Sequence, residues 1–476
     1  MRTMTRRAMR GVGLLCAAAL SLTACGSSDD DAAAEKTVRG SDLRAALKEG
    51  GSITVWAWEP TLKQVVSDFE KEYPKVKVKL VNAGTGNDQY TALQNAVQAG
   101  SGVPDVAQVE YYALGQFALG KSLEDLSRYG ADEFKDDYSP GPWNSVTVDD
   151  AVYALPMDSG PMAMFYNKKV LDKHQIATPT TWDEYLEAAR ALHKADPKAY
   201  ITNDTGDAGF TTSMIWQAGG TPFKTRDTEV TVDLAADKGV TAFTKVWQKL
   251  LDEDLLAPIE SWSDEWYKGL ADGTIATLST GAWMPANFVS GVESASGDWR
   301  AAMLPQYEKG GEVSSENGGS SLALMKAGKN KDLAYAFNEY ANHADGVQAR
   351  IAGGAFPATS ADLSSKTFLN TPFPYFGGQK ANEIFARSAS QVPEDWSYLP
   401  FQVYANSVFN DSVGKAYVSD TTLAEGLQQW QKAAVAYGND QGFTVNPPPT
   451  STAAEASDEP VAQRVPDEFC TAADAA

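Results

Sequence analysis

The sequence predicts an α/β fold organised around a mainly parallel sheet. Strand-like runs alternate with helix-like runs from Ser52 to Val109. Strands separated by helical crossovers of that length pair in parallel, with right-handed connections. The chain has 476 residues, 43% of them hydrophobic and 10% aromatic, which suits two or more domains with real cores and excludes a disordered chain.

The elements follow in order. Arg2, Arg6, Arg7 and Arg10 precede an apolar stretch from Gly11 to Leu22, then Thr23-Ala24-Cys25. A basic head, a short apolar body and small residues before a cut form a secretory signal peptide over residues 1–24, too short to span a bilayer. Arg6-Arg7 leaves the twin-arginine export route open beside the general one. A cysteine directly after the cut resembles that of bacterial lipoproteins. The resemblance implies cleavage before Cys25, diacylglycerol on its sulfur and a protein held on the outer face of the cell membrane. Residues 25–49 are expected to form a flexible tether, because Ser27-Ser28-Asp29-Asp30-Asp31 and the alanines after it cannot build a core.

Residues 52–56 (Ser-Ile-Thr-Val-Trp) read as a β-branched strand. Leu62, Val65, Val66 and Phe69 then recur at helical spacing before Tyr73-Pro74. Val76, Val78 and Leu80 alternate with Lys75, Lys77 and Lys79, a half-buried strand with its lysines outward. Tyr90, Leu93, Ala96 and Val97 predict a helix ended by Gly100, and residues 104–109 the next strand. Residues 181–256 read as mostly helical. Residues 320–324 return to strand, and a helix carrying Leu333, Ala336, Phe337 and Tyr340 follows. A final helical part spans about 399–437. From about Gln441 the chain turns to Pro447-Pro448-Pro449 and then Ser, Thr, Ala and acidic residues, so 441–476 is expected to be a disordered tail.

Composition limits the function. A formal charge of −22, more negative once the leader arginines are removed, repels nucleic acid and anionic membranes. Cys16 leaves with the leader and Cys25 is the lipidation site. Cys470 is then alone and no internal disulfide is expected. His174, His193 and His343 lacking metal-ligand spacing, no metal or cofactor is expected. The Gly-x-Ser-x-Gly elbow and the zinc-protease pattern do not occur.

The landmarks Ile53-Thr54-Val55-Trp56, Pro104-Asp105-Val106, Tyr153-Ala154-Leu155-Pro156, Phe165-Tyr166-Asn167-Lys168 and Pro179-Thr180-Thr181-Trp182-Asp183-Glu184 come in a fixed order. They continue with Gln217-Ala218-Gly219-Gly220, Gly281-Ala282-Trp283 and Gly318-Gly319-Ser320-Ser321-Leu322. Behind a lipoprotein leader, this set resembles the family 1 extracellular solute-binding proteins of bacterial ABC importers, the group of maltose-binding protein. The likeness covers about Gly50 to Tyr437. Residues 155–161 look closest to binders of lactose-like and arabinose-type oligosaccharides.

The resemblance implies a two-lobed periplasmic-binding-protein-like fold of type 2, with a ligand cleft between lobes joined by a multi-segment hinge. Lobe 1 maps to 50–157 and 318–362, and lobe 2 to 158–317 and 363–440. It further implies a monomer that captures an oligosaccharide, closes on it and delivers it to the membrane subunits of an ABC permease. Closure requires that the ligand contact the closed state better than the open one.

A sugar site needs flat aromatics under the ring and carboxylate or amide acceptors at its rim. Trp58 and Glu59, at the carboxyl end of the first strand, are candidates to line the cleft. Trp56 is a weaker one, since it can pack beneath the sheet. Asn87 and Asp88 follow Gly84-Thr85-Gly86 and could bond hydroxyls or cap the next helix. Glu110 and Tyr111 follow the third strand, and Glu110 stands where the family often places a polar ligand contact. Asp158 lies in the segment between lobes, beside a hinge glycine, Gly160. Trp283 resembles the family's stacking aromatic. Asn317, Gly318 and Gly319 cross back to lobe 1 and could offer backbone groups. Phe356 and Trp396, with Tyr375 and Phe376, are further stacking candidates. Trp182 at a helix start, Trp247 on an apolar helical face and Trp430 in the last helix read as core, while Trp262 and Trp266 could stack on ligand or pin a helix. The rival reading is an extracellular glycoside hydrolase using Glu59, Glu110 or Asp158 as a carboxylate pair about 5–10 Å apart.

Overall fold

The computed structural model describes residues 37–446 apart from 149, 150, 227, 394 and 420. The leader, Cys25, Cys470 and residues 447–476 lie outside the described residues.

In the first lobe, strand Gly51–Trp56 lies between Val76–Val81 and Val106–Glu110 and runs parallel to both. Ile53 and Val55 point into the core, and exposed Lys77 and Lys79 alternate with buried Val76 and Val78, as the pattern predicts. Helix Leu62–Glu72 buries Leu62, Val65 and Phe69. Phe69 packs its ring 4.9–5.2 Å from those of Tyr73, Phe337 and Tyr340, which joins this helix to Lys331–Asn342. Burying each such side chain contributes about 1.5–3 kcal/mol. Helix Asn87–Ala99 ends at Gly100 in the left-handed conformation. The sheet is completed by Ser320–Leu324, antiparallel to Val106–Glu110, and then by Ala154–Pro156.

The second lobe departs from the parallel expectation. Its central strand, Met162–Asn167, is antiparallel to both Thr277–Gly281 and Trp299–Ala302. Several helices separate these strands in sequence, so no single crossover dictates their direction. A parallel bridge from Tyr200 to Ile275 continues the layer towards Thr202–Asn203 and Leu256–Ala257. Trp182, Trp247 and Trp430 are fully buried here. Each indole N–H has a partner: Gln217 Oε1 at 2.9 Å, Asp204 Oδ2 at 2.8 Å and the Ala405 carbonyl at 2.6 Å.

The hydrophobic interior divides accordingly. One core gathers Ile53 to Met157 with Leu322 to Ala358. The other side of the molecule holds two adjoining clusters built from residues between Met162 and Leu304 and beyond Phe356. Two segments near the bounds of the described residues depart from expectation. Gly40–Glu49 is a helix laid on Lys331–Asn342, so the tether cannot extend to residue 49. Thr444–Asn446 adds a parallel strand to Glu229–Val232, so the fold continues past 441.

Candidate functional site

Two chain segments cross side by side between the lobes. Residues 156–162 and 315–321 run antiparallel, with Met157 N donating to Ser320 O, Asn317 N to Gly160 O and Met162 N to Ser315 O, each at 2.8 Å. Their closeness demands glycine: a Cβ on Gly160 would stand 2.2 Å from the Asn317 carbonyl oxygen, and one on Gly319 2.5 Å from the Tyr111 ring. Gly319 also adopts φ 100°, where side-chain-bearing residues are strained.

Carboxyl groups collect around this crossing. Asp158 Oδ1 accepts from Ser320 N at 2.6 Å. Glu316 is buried and accepts from Ser159 Oγ at 3.0 Å and Gly160 N at 2.7 Å, tying the two segments together. Glu110 stands at the end of strand Val106–Glu110, where the chain turns straight into helix Tyr111–Leu119. Tyr90 donates its hydroxyl to Glu110 Oε2 at 3.0 Å and accepts from the Glu110 N–H at 2.9 Å. Burial pushes Glu110 up to about 7 against the pull of the Tyr90 and Tyr112 hydroxyls, and the charges of Asp158 and Asp207 add to the rise. Burial likewise raises Asp158 to about 6, opposed by Arg350, and Glu316 to about 8. Among the described residues, neither Glu110 nor Glu316 has an ion-pair partner.

Aromatic rings form the other half of the site. Half-buried Trp283 opens helix Met284–Gly291 and donates its indole N–H to the Asn317 carbonyl at 2.7 Å. Trp262 stacks on it, with centroids 5.8 Å apart and planes 30° from parallel. Trp58, Tyr90 and Tyr112 of the first lobe and then Tyr398, from the segment mapped to the second, follow one another edge-on at 6.0–6.3 Å. Tyr398 then meets Trp216 and Trp396 at 5.0 and 5.3 Å. Tyr112, Trp396 and Tyr398 also border a cavity of about 330 Å³.

Of the residues singled out in the sequence, Trp58, Glu110, Asp158, Trp283 and Trp396 belong to this assembly. Several others have different work. Glu59 caps helix Leu62–Glu72, accepting from Leu62 N at 3.1 Å and Thr61 Oγ1 at 2.5 Å, although its charge still reaches Asp158. Asn87 and Asp88 are exposed in a helical first turn whose N-cap is Gly86, and it is Gly86 that lies against Glu110 and Tyr112. Tyr111 is a buried strut that donates to the Asp158 carbonyl at 2.5 Å. The side chain of Asn317 is held by Thr280 and Ser213, at 3.2 Å each. Gly318 and Gly319 shape the crossing, with φ 72° and 100°.

Phe356 is corrected outright. It is buried in the second core, with Phe368 at 5.8 Å and Phe385 at 6.0 Å, and Tyr375 and Phe376 are buried there too. Trp266 pins its helix through a 2.8 Å bond to Asn203, whereas its neighbour Trp262 is exposed. Cys25 lies outside the described residues.

Sequence reasoning did not single out Glu316, Trp216, Tyr398 or Asp207. Asp207 caps helix Ala208–Gln217 by accepting from Phe210 N at 2.5 Å, and its charge acts on Glu110 from the opposite lobe. An aspartate before a helix signals a cap, and here the cap also looks into the seam. The assembly offers acceptors for hydroxyl groups beside flat apolar faces. Among the described residues no group of His, Cys, Asp and Glu is arranged to hold a metal ion.

The family profile "Bacterial extracellular solute-binding protein" matches residues 56–348. A lactose-binding protein of Rhizobium radiobacter is 25% identical over 366 residues, covering 72% of this chain and 83% of the relative. An arabinooligosaccharide-binding protein of Bacillus subtilis is 26% identical over 300 residues, covering 61% and 68%. Among solved structures, the ABC transporter associated binding protein from B. animalis subsp. lactis Bl-04, in complex with β-1,6-galactobiose, is 48% identical. It superposes with a TM-score of 0.79 over 83% of this chain and 99% of its own. The galacto-N-biose-/lacto-N-biose I-binding protein of Bifidobacterium longum shares the fold, with 24% identity and a TM-score of 0.73 over 84% and 99%.

Proposed function

The chain belongs to the bacterial extracellular solute-binding protein family, and on that premise we propose that it captures an oligosaccharide between its lobes and delivers it to an ABC permease. The observation that carries this reading is that the Asp158 carboxyl and the Trp283 indole are both anchored on the paired crossing segments, through Ser320 and Asn317, while Glu110 is held by Tyr90 at the end of the strand that pairs with Ser320–Leu324. Carboxylates make strong, directional bonds to sugar hydroxyls, and an indole covers the apolar face of a ring. A relative 48% identical that was solved with β-1,6-galactobiose makes a short galactosyl oligosaccharide the first ligand to test.

Members of the family are substrate-binding parts of transporters, not enzymes, and they work outside the cytoplasm. The finer picture is a monomer whose Cys25 carries the lipid, which keeps the protein near its permease. The mechanism we infer is closure. Ligand bridges both lobes, favours the shut arrangement and thereby creates the surface the transporter reads.

Thermal unfolding of the mature protein with β-1,6-galactobiose, lacto-N-biose, lactose, an arabino-oligosaccharide and maltotriose tests this. Ligand at about 100 times Kd stabilises by about 2.7 kcal/mol, and the expected affinity is micromolar or tighter, about −8 kcal/mol. The sugars should be recovered intact. A melt unmoved by every sugar contradicts the reading, and release of shorter sugars would establish the hydrolase instead.

A further inference from the structure

We propose that Arg350 is a positioning residue for Asp158: without touching the ligand, its buried guanidinium holds that carboxylate charged and in place to accept from a sugar hydroxyl. This rests on the sugar-binding reading above and gives one of its carboxylates a partner from outside the site.

Arg350 lies on helix Gly346–Ala352 and is only 2% exposed. Its Nη1 donates to the Met157 carbonyl, the last before Asp158, and to Asn342 Oδ1 at 3.1 Å. Its Nε and Nη2 have no hydrogen-bond partner among the described residues. A buried guanidinium that bonds only carbonyl and amide oxygens projects its charge onto nearby acids, because little water screens it. Asp158 is one peptide unit from the carbonyl that Arg350 holds, about 3.8 Å between Cα atoms. Buried amides keep the guanidinium there. Asn342 Nδ2 donates to Asn338 Oδ1 at 2.8 Å, and Asn338 Nδ2 donates to the Leu322 carbonyl at 2.8 Å. Leu322 shares its strand with Ser320, whose N–H binds Asp158 Oδ1 at 2.6 Å. The bonds thus close a ring from Asp158 through Ser320, Asn338 and Asn342 to Arg350, and back through Met157. Tyr111 pins the Asp158 carbonyl on the far side at 2.5 Å.

The charge has a definite task. Asp158 is faced by Glu59 from before helix Leu62–Glu72, by Glu110 and Tyr111 at the end of the third strand, and by Glu316 on the other crossing segment. The acids among these oppose a further negative charge, and Arg350 is the cation that offsets them. Burial raises Asp158 to about 6, and Arg350 is the strongest opposing influence, ahead of the Ser320 N–H. Asp158 is only half-buried and so open to ligand, whereas Arg350 is closed off behind it. The guanidinium therefore acts on binding through the carboxylate and sets the pH below which Asp158 stops accepting.

The test follows the Asp158 carboxyl by carbon NMR, and affinity for β-1,6-galactobiose by calorimetric titration, across neutral pH. Wild type is compared with Arg350→Gln, which loses the charge, and Arg350→Lys, which keeps it. Asn342→Asp is the third variant and gives Arg350 a carboxylate of its own. Asp158→Asn identifies the signal. In wild type, affinity falls as Asp158 takes up its proton near pH 6. Arg350→Gln and Asn342→Asp should move the Asp158 midpoint up by about one pH unit, and Arg350→Lys should restore it. Affinity at the wild-type midpoint then drops about fivefold in those two variants, and in strong alkali-side buffer it stays within about twofold. A midpoint unmoved in Arg350→Gln overturns the proposal, and where that variant does not fold Asn342→Asp decides in the same way. A loss equal at every pH marks a mere strut and overturns it too. A wild type that binds no sugar overturns the sugar reading and this inference with it. Sugar binding with one midpoint shared by all variants overturns the inference alone.

Discussion

Two buried acid sites in the first lobe show how one residue type serves opposite ends. Glu124 is buried and held by Arg128 Nη1 at 2.7 Å and Lys331 Nζ at 2.5 Å. Glu110, at the seam, is held by tyrosine hydroxyls and faces Asp158 and Asp207. The first carboxylate is neutralised by cations and finished. The second keeps its charge in doubt with pH and retains capacity to accept from a ligand. Burial alone therefore does not mark a structural acid; the kind of partner does.

Mutating both sites should separate stability from binding. Glu124→Ala leaves two cations facing a hole and is expected to cost about 3 kcal/mol of stability, since removing one member of a buried pair strands the others. Chemical denaturation should report that loss while sugar affinity stays within twofold. Trp283→Ala should do the reverse. Affinity falls more than tenfold, over about 1.4 kcal/mol, with a smaller change in melting temperature. Glu110→Gln is expected to weaken binding about tenfold while leaving the melt unchanged or raised, because it removes a buried charge that has no cation.

The pH dependence follows from the same contrast. Glu110 and Glu316 titrate at about 7 and 8 in the folded protein, above the ordinary 4.5. The folded state thus holds protons that the unfolded state releases. Their stabilising contribution is full below pH 4.5 and is lost as pH rises towards 8. The ligand-free melting temperature should fall from pH 5 to 8, and Glu316→Gln should flatten that fall by a few degrees, at about 2–4 °C per kcal/mol. A parallel profile in the variant would contradict the assignment. The smallest effect expected is Glu59→Gln. Weakening the cap on Leu62 should cost about 1 kcal/mol or less, with sugar affinity changed less than threefold. A larger loss would return Glu59 to the ligand site.

Much of this was legible in the chain. Period-two and helical spacing located the first-lobe strands and helices, and placement on helices marked Trp182, Trp247 and Trp430 as core. Position at a strand end or a crossing segment drew attention to Glu110, Asp158 and Trp283. What stayed hidden depends on long-range pairing. Glu316 carries no motif, and its bond to Gly160 joins residues 156 positions apart. Phe356 is a stacking candidate by residue type, yet its partners Phe368 and Phe385 arrive later in the chain and bury it. Asp207 and Glu59 both precede helices, and only the tertiary structure separates a cap that looks into the seam from one devoted to its helix. Strand direction in the second lobe was hidden for the same reason.

A crystal structure of the mature protein with β-1,6-galactobiose tests the central claim most directly. The account predicts one sugar ring stacked on Trp283, its hydroxyls within hydrogen-bond distance of Glu110 or Asp158, and both lobes in contact with the ligand. A disaccharide bound to one lobe only, or resting away from the crossing segments, would contradict it.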